Sequence, residues 1–282
     1  MWFLFSYTKN KLYSSFRESN TRTQIIKRSR NRKNKFSGGE PFTNPRFLGE
    51  LIKQCKENIG IKVISVITNG SLVKKSFFEK YGKYIDFFGV SCDSFDKETN
   101  IKIGRGTKGE NVKKLLEIRN LCKEYKINFK LNTVVCKYNK DENMVENIKK
   151  LNPDRWKVFQ VLMVKGENDG GDKLRDVKEF QITNEEFERF KERHKEIECM
   201  ISEPNDTMKS SYIILDEYMR FLDKGDGEET HSESILDVGV DKAFKDIFFD
   251  SKEFKKRKGD YFMNNLNDDC RKCATKPGFI DF

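Results

Sequence analysis

Within this chain of 282 residues, a few groups have types and spacings that can do chemistry. The sharpest is Phe36-Ser37-Gly38-Gly39-Glu40-Pro41-Phe42. Two glycines at the end of an expected strand let backbone N–H and C=O groups approach a ligand closely, and Glu40 can pair with an ammonium. A plain Gly-Gly turn also accounts for the same residues. In Phe129-Lys130-Leu131-Asn132-Thr133, a period of two puts Lys130 and Asn132 on one face and the apolar residues and Thr133 on the other. A lysine inside an otherwise buried strand is costly unless an anion meets it. A triphosphate is such an anion, and Lys130, Lys157 and Arg257 can supply several cations to it. The alternative is a lysine snorkelling from the end of a strand.

Other groups carry weaker signals. Gly104-Arg105-Gly106 is a loop from which a guanidinium can reach a carboxylate, or simply stay solvated. Asp93 and Asp96 suggest a metal or acid/base pair, but carboxylates this close on a loop are more often caps and turn formers. Cys270-x-x-Cys273 reads as half a zinc site, a redox pair or two free thiols, and no second C-x-x-C or nearby histidine completes a tetrahedron. His194 and His231 fit no metal spacing, and His194 reads as a surface residue of a charged helix. No metal ligands are assigned.

The elements that must position these residues alternate. Short β-like runs at 33–37, 63–68, 87–93, 128–135 and 155–164 are separated by amphipathic helical patterns at 47–58, 109–125 and 144–151, with another helix capped by Ser71 and ending near Gly82. Such alternation implies right-handed βαβ crossovers and a parallel sheet, with ligands at the carboxyl ends of the strands. Past residue 165 the rhythm changes. Thr183 to Glu186 fits a capping box opening a charged helix to about Glu198, and 255–282 is polar without periodicity.

Composition bounds the rest. A hydrophobic content of 36% with 24 Phe supports a folded chain with one large core. The net charge of +10 resembles a nucleic-acid signal, but residues 1–35 carry +9 of it. No specific nucleic-acid partner is therefore expected, although the basic run from Lys27 to Lys35 can bind polyanions loosely. Seven scattered cysteines suit reduced thiols rather than a disulfide framework, and no apolar stretch is long enough to span a membrane. A cytoplasmic location is the default.

The ordered motifs resemble one family. Ser37-Gly38-Gly39-Glu40-Pro41-Phe42 resembles the GGE motif of radical SAM enzymes. Thr68-Asn69-Gly70-Ser71-Leu72, Ser91-Cys92-Asp93-Ser94-Phe95-Asp96, Leu151-Asn152-Pro153, Arg155-Trp156-Lys157-Val158-Phe159-Gln160 and Leu215-Asp216-Glu217-Tyr218-Met219-Arg220-Phe221 resemble the viperin family specifically, from about Lys33 to Tyr261. The resemblance implies an α/β fold, a partial parallel (β/α) barrel of radical SAM type with a C-terminal extension. It implies a 4Fe-4S cluster that cleaves S-adenosylmethionine to a 5′-deoxyadenosyl radical. In CTP-using members that radical takes the 4′ hydrogen and water is lost, giving 3′-deoxy-3′,4′-didehydro-CTP, an antiviral chain terminator. It assigns Gly38, Gly39, Glu40, Asn69, Ser91 and Arg105 to S-adenosylmethionine. It assigns Lys33, Lys130, Asn132, Lys157, Tyr212 and Arg257 to a nucleoside triphosphate, CTP favoured. Phe282, where the family usually has Trp, is the expected contact for cytosolic iron–sulfur assembly machinery.

The chain departs from the family at its C-terminus, where the Met263-Asn264-Asn265-Leu266 and Cys270-x-x-Cys273 segments do not match the animal pattern, and above all in its cluster cysteines. The family's C-x3-C-x2-C on the loop after the first strand is absent, and the first cysteine is Cys55. Residues 1–32 read as a basic leader, disordered or misassigned, 33–165 as a partial barrel lacking its first βα unit, and 166–282 as an extension completing the barrel and covering the nucleotide site. An N-terminally incomplete chain, a catalytically inactive nucleotide-binding or scaffold paralogue, and a cluster borrowed from Cys270 and Cys273 all fit the departure.

Overall fold

The computed structural model describes residues 2–5, 33–37, 39–105, 111–162, 177–205, 212–216, 218–223 and 230–256. Its spine is a parallel run of seven strands in sequence order: β1 (Trp2–Phe5), β2 (Lys33–Phe36), β3 (Val63–Thr68), β4 (Phe87–Ser91), β5 (Asn128–Val135), β6 (Arg155–Gln160) and β7 (Met200–Glu203). Helices α1 (Pro45–Gln54), α2 (Lys75–Tyr81), α3 (Lys97–Ile103), α4 (Asn111–Glu124), α5 (Val145–Leu151) and α6 (Asn184–Arg193) connect successive strands from β2 onward. Beyond β1, the short strands β8 (Ile214–Leu215), β9 (Arg220–Asp223) and β10 (Thr230–Ser234) extend the sheet. β8 is parallel to β1, and β9 and β10 follow antiparallel. No pairing among the described residues closes β7 onto β10.

The expected strands lie where the hydrophobic pattern put them, and the seam at 33–37 continues on its other side. β1 pairs in parallel with β2, Trp2 opposite Lys33 and Phe5 opposite Phe36. No strand was expected before Lys33, because a single four-residue apolar run has no period to read. Residues 6–32 lie outside the described residues, as do Gly38, Arg257, Cys270, Cys273 and Phe282.

The two sheet faces differ sharply, because in a strand alternate residues point to opposite sides. One face carries Phe36, Ile64, Val66, Phe88, Val90, Phe129, Leu131, Trp156 and Val158, all at 3% exposure or less. It packs against the helices and forms the core. The registers Lys35↔Ser65↔Phe87, Gly89↔Lys130↔Arg155 and Ser91↔Asn132↔Lys157 make the other, inner face. There polar and cationic residues stand among the apolar ones. Exposure on this face rises toward the strands' carboxyl ends: Ser65, Phe87, Lys130 and Arg155 are buried, whereas Ile67, Ser91, Asn132, Lys157 and Phe159 are half-buried. The inner face thus opens at the end where parallel α/β folds bind ligands.

Two expectations are corrected. Ser71 does not cap α2. Its N–H and hydroxyl both donate to Asn69 Oδ1 (2.9 and 2.7 Å), an Asx turn that competes with capping, and α2 starts later with Lys74 as an uncapped N-cap. His194 is not a surface residue but fully buried. Its Nε2 accepts from the Met144 N–H at 2.9 Å, its Nδ1 lies 2.8 Å from the Phe190 carbonyl, and its ring packs against Trp156 and Phe190. The charged residues around it in sequence occupy the other side of the helix, and burial lowers the pKa of His194 below that of a free histidine.

Candidate functional site

At the carboxyl end of β2 the chain must leave the sheet and return to α1. Gly39 takes φ +42°, a left-handed conformation that costs residues with a Cβ about 1–2 kcal/mol. Pro41–Thr43 then forms a single 3-10 turn that drives Phe42 into the core, 4.7 Å from the Phe77 ring and 5.8 Å from the Phe88 ring. This anchor fixes the residue before it. The Glu40 carboxylate accepts from the Phe42 N–H at 3.0 Å, the Thr68 hydroxyl at 2.6 Å and the Asn69 N–H at 2.7 Å. Thr68 and Asn69 stand at the tip of β3, so Glu40 ties two neighbouring strand ends together. One strand further, the loop after β4 holds Asp93, which is 3% exposed. Asp93 accepts from the Val134 N–H at 2.9 Å and from Arg105 Nε at 2.5 Å. That ion pair raises the Arg105 pKa further above its ordinary value. Asp96 caps α3 by accepting from the Thr99 N–H at 2.8 Å. Asp96 is thus the cap expected of it, whereas Asp93 is a buried partner for Arg105.

Glu40, tied to the end of β3, and Arg105, held by Asp93 just beyond β4 and its last residue Ser91, place a carboxylate and a guanidinium at neighbouring strand ends, charges that can pair with those of an amino acid zwitterion.

Deeper on the inner face, the chain gathers cations. Lys33 and Lys130 are 2% and 6% exposed, and Arg155 is 5% exposed. Burial, then repulsion from Arg155, Lys157 and Lys35, lowers the Lys33 pKa to about 6, with Asp86 opposing the shift. Burial, then repulsion from Lys33, Arg155, Lys157 and Lys35, pushes Lys130 well below the ordinary lysine value. The Lys130 and Lys33 ammonium nitrogens lie 3.8 and 5.5 Å from the Phe87 ring centroid. At the far side Lys157 forms an ion pair with fully buried Glu203, and the Tyr212 hydroxyl donates to the same carboxylate. Lys157 also donates to the Tyr212 oxygen at 3.3 Å.

The structure therefore brings Lys33, Lys130, Asn132, Lys157 and Tyr212 into one cluster, and places Gly39, Glu40, Asn69, Ser91 and Arg105 at adjoining strand ends. Glu40 meets β3 two strands from Lys130, roughly 10 Å across the sheet. Lys35, Arg155 and Glu203 were not singled out in the sequence. The first two were findable, since Lys33-x-Lys35 and Arg155-x-Lys157 share the alternation that marked Lys130 and Asn132. Glu203 sits on a four-residue strand with no readable period.

Among the described residues, the thiols are not grouped as a cluster would require. Cys55, Cys92, Cys122 and Cys136 are buried on separate elements, and burial pushes Cys55 and Cys92 up to about 12, away from the thiolate that a metal requires. The connection between β1 and β2, residues 6–32, contains no cysteine.

Residues 20–151 match the Radical SAM superfamily. The chain is 45% identical over 268 residues to an S-adenosylmethionine-dependent nucleotide dehydratase of Danio rerio, spanning 94% of this chain and 75% of that one. It is 36% identical to another from Flammeovirga pacifica, over 80% and 76% of the two chains. Among solved structures it resembles anSMEcpe with bound AdoMet, with TM-score 0.63 at 13% identity over 90% and 78% of the chains. It also resembles Streptococcus suis SuiB bound to S-adenosylmethionine, with TM-score 0.59 at 15% identity over 91% and 67%. These two likenesses bear on the fold alone. Identity of that degree to the dehydratases, over most of both chains, makes this chain a member of the S-adenosylmethionine-dependent nucleotide dehydratase family within the radical SAM superfamily.

Proposed function

We propose that the chain binds S-adenosylmethionine at the ends of β2–β4 and a nucleoside triphosphate, CTP favoured, in the cationic inner face beside it. The reaction is that of its family, conversion of the nucleotide to its 3′-deoxy-3′,4′-didehydro form in antiviral defence. The observation that carries this reading is the gathering of Lys33, Lys130, Arg155 and Lys157 on one sheet face, because several cations aimed at one place can meet the charges of a polyanion together. Gly38, Gly39, Glu40, Asn69, Ser91 and Arg105 are the proposed cofactor residues, and Lys33, Lys130, Asn132, Lys157, Tyr212 and Arg257 the proposed substrate residues. A cytoplasmic location and a contact of Phe282 with iron–sulfur assembly machinery belong to the same reading. Calorimetric titration with CTP, UTP, ATP and GTP tests it. CTP should bind most tightly, with an affinity that falls steeply as salt rises and is lost in Lys130→Ala. No binding of any triphosphate at low salt would end the reading.

The missing C-x3-C-x2-C favours a second reading, a family member that binds nucleotide without turning it over. Anaerobic reconstitution with iron and sulfide discriminates. A stoichiometric 4Fe-4S absorption band would refute the second reading, and its absence with CTP binding intact would support it.

A further inference from the structure

The loop after β4 holds Asp93 and leads through α3 to Arg105, so whatever fixes that loop bears on the guanidinium. Arg105 is tied to the loop at both ends. Its Nε donates to Asp93 at 2.5 Å, and its backbone N–H donates to the Asn100 carbonyl at 2.8 Å. Asn100 is 1% exposed, and its side-chain amide donates to the Ser94 carbonyl at 2.7 Å. Both ties therefore converge on residues 93 and 94.

Those two residues are gripped from the neighbouring loop, between β5 and α5. The fully buried Asn139 donates through its amide to the Asp93 carbonyl at 2.6 Å and the Val134 carbonyl at 2.9 Å. Its Oδ1 accepts from the Cys136 N–H at 2.7 Å. Half-buried Glu142 reaches further along the β4 loop. One of its carboxylate oxygens accepts from the Ser94 hydroxyl at 2.6 Å, and the other from the Phe95 N–H at 2.9 Å. The Asp96 N–H in turn donates to the Ser94 hydroxyl oxygen at 2.9 Å, which carries the hold to the N-cap of α3. Apolar packing would serve stability better here, since buried polar groups cost free energy and their hydrogen bonds return little net. What directional bonds add is precision, and a binding constellation needs its side chains held to about 0.5 Å.

We propose that Glu142 is a positioning residue for the cofactor site: it clamps Ser94 and Phe95 and, through Asp93 and Asn100, sets where the Arg105 guanidinium points. The inference rests on the reading of Arg105 as an S-adenosylmethionine contact. Glu142 acts through that arginine, from a different strand's loop, and not on the ligand.

The test compares the full chain with Glu142→Gln, alone and combined with Arg105→Met. Glutamine keeps the shape but has one acceptor oxygen, so whichever way its amide turns, the Ser94 hydroxyl or the Phe95 N–H faces an NH2 group. Affinity for S-adenosylmethionine is measured by equilibrium dialysis and for CTP by calorimetry, and amide hydrogen exchange is followed residue by residue. Glu142→Gln should weaken S-adenosylmethionine roughly fivefold and leave CTP unchanged. Added to Arg105→Met it should cause little further loss, because the group it positions is already gone. The Phe95 and Arg105 amides should exchange about fivefold faster or more, while those of the β5–β6 ladder keep their protection. A merely structural role would weaken both ligands, act equally with and without Arg105 and loosen the ladder too, and that outcome overturns the proposal. Unchanged S-adenosylmethionine affinity in Glu142→Gln overturns it as well. If the parent chain binds CTP but no S-adenosylmethionine, the cofactor reading fails and the proposal falls with it. If the parent binds S-adenosylmethionine and the variant's Phe95 and Arg105 amides exchange as before, only the role of Glu142 fails.

Discussion

Replacing Lys33 by methionine should stabilise the empty protein while weakening its affinity for a triphosphate. The magnitude follows from the lysine's environment. An ordinary lysine titrates at 10.5, and burial among Arg155, Lys157 and Lys35 lowers Lys33 to about 6. Between those values the unfolded chain holds a proton that the folded chain does not, so stability is lost as pH falls through that window. At pH 7.5 the folded state must neutralise a group three units below its ordinary pKa, which costs on the order of 4 kcal/mol. Methionine has no such cost and similar length. Lys33→Met should therefore be more stable by up to about 4 kcal/mol at pH 7.5, a gain that shrinks toward zero near pH 10. Urea unfolding of both proteins at pH 6.5, 7.5 and 9 measures this difference. The same lysine should take up a proton when a triphosphate binds. At pH 8 it is only about 1% protonated when the site is empty, and the ligand's charges restore its ammonium. Calorimetry in two buffers of different ionisation enthalpy should show about one proton or more taken up per CTP, and about one fewer in the variant. Equal stability of the two proteins at every pH, with no proton uptake by the parent, would refute the reasoning.

Three further outcomes are expected. Thr68→Val keeps the buried shape but removes the hydroxyl that donates to Glu40 at 2.6 Å, so it should cost about 1 kcal/mol in thermal denaturation and weaken S-adenosylmethionine in equilibrium dialysis. Asp93→Asn, which removes the charge paired with Arg105, should weaken S-adenosylmethionine more than CTP, and equal losses would show that the loop, not the guanidinium, was disturbed. His194→Ala leaves the Met144 N–H without its acceptor in the core, a loss of roughly 2–4 kcal/mol by urea unfolding. Because burial lowers the His194 pKa, the parent should lose stability as pH falls below about 6.5, and the variant should lose less.

Much of this was legible in the chain itself. The β-branched run 63–68, the alternation at 128–132 and the Thr183–Glu186 capping box became β3, β5 and the N-terminus of α6 where they were read. Each of those signals is local, set by a strand's period of two or by a side chain reaching three residues along. The Gly39-Glu40 turn was likewise visible as a place where backbone could meet a ligand. Misreadings fell where a longer-range contact overrode a local rule. Ser71 looked like a cap until Asn69 took its hydrogens, and His194 looked solvated because its neighbours are charged while its own side faces Trp156.

The sequence by itself determined which residues alternate with which, and hence that Lys130, Asn132 and Lys157 each sit opposite an apolar neighbour on their own strands. Only the tertiary structure decided that these separate strands turn the same face inward. The register between strands aligned Lys130 with Arg155 and Asn132 with Lys157. It also set Phe87 beneath two ammoniums and brought Glu203 and Tyr212 to the far side of Lys157. The physical reason is that side-chain parity is a property of one strand, whereas the field acting on a charge is summed over every strand that packs beside it.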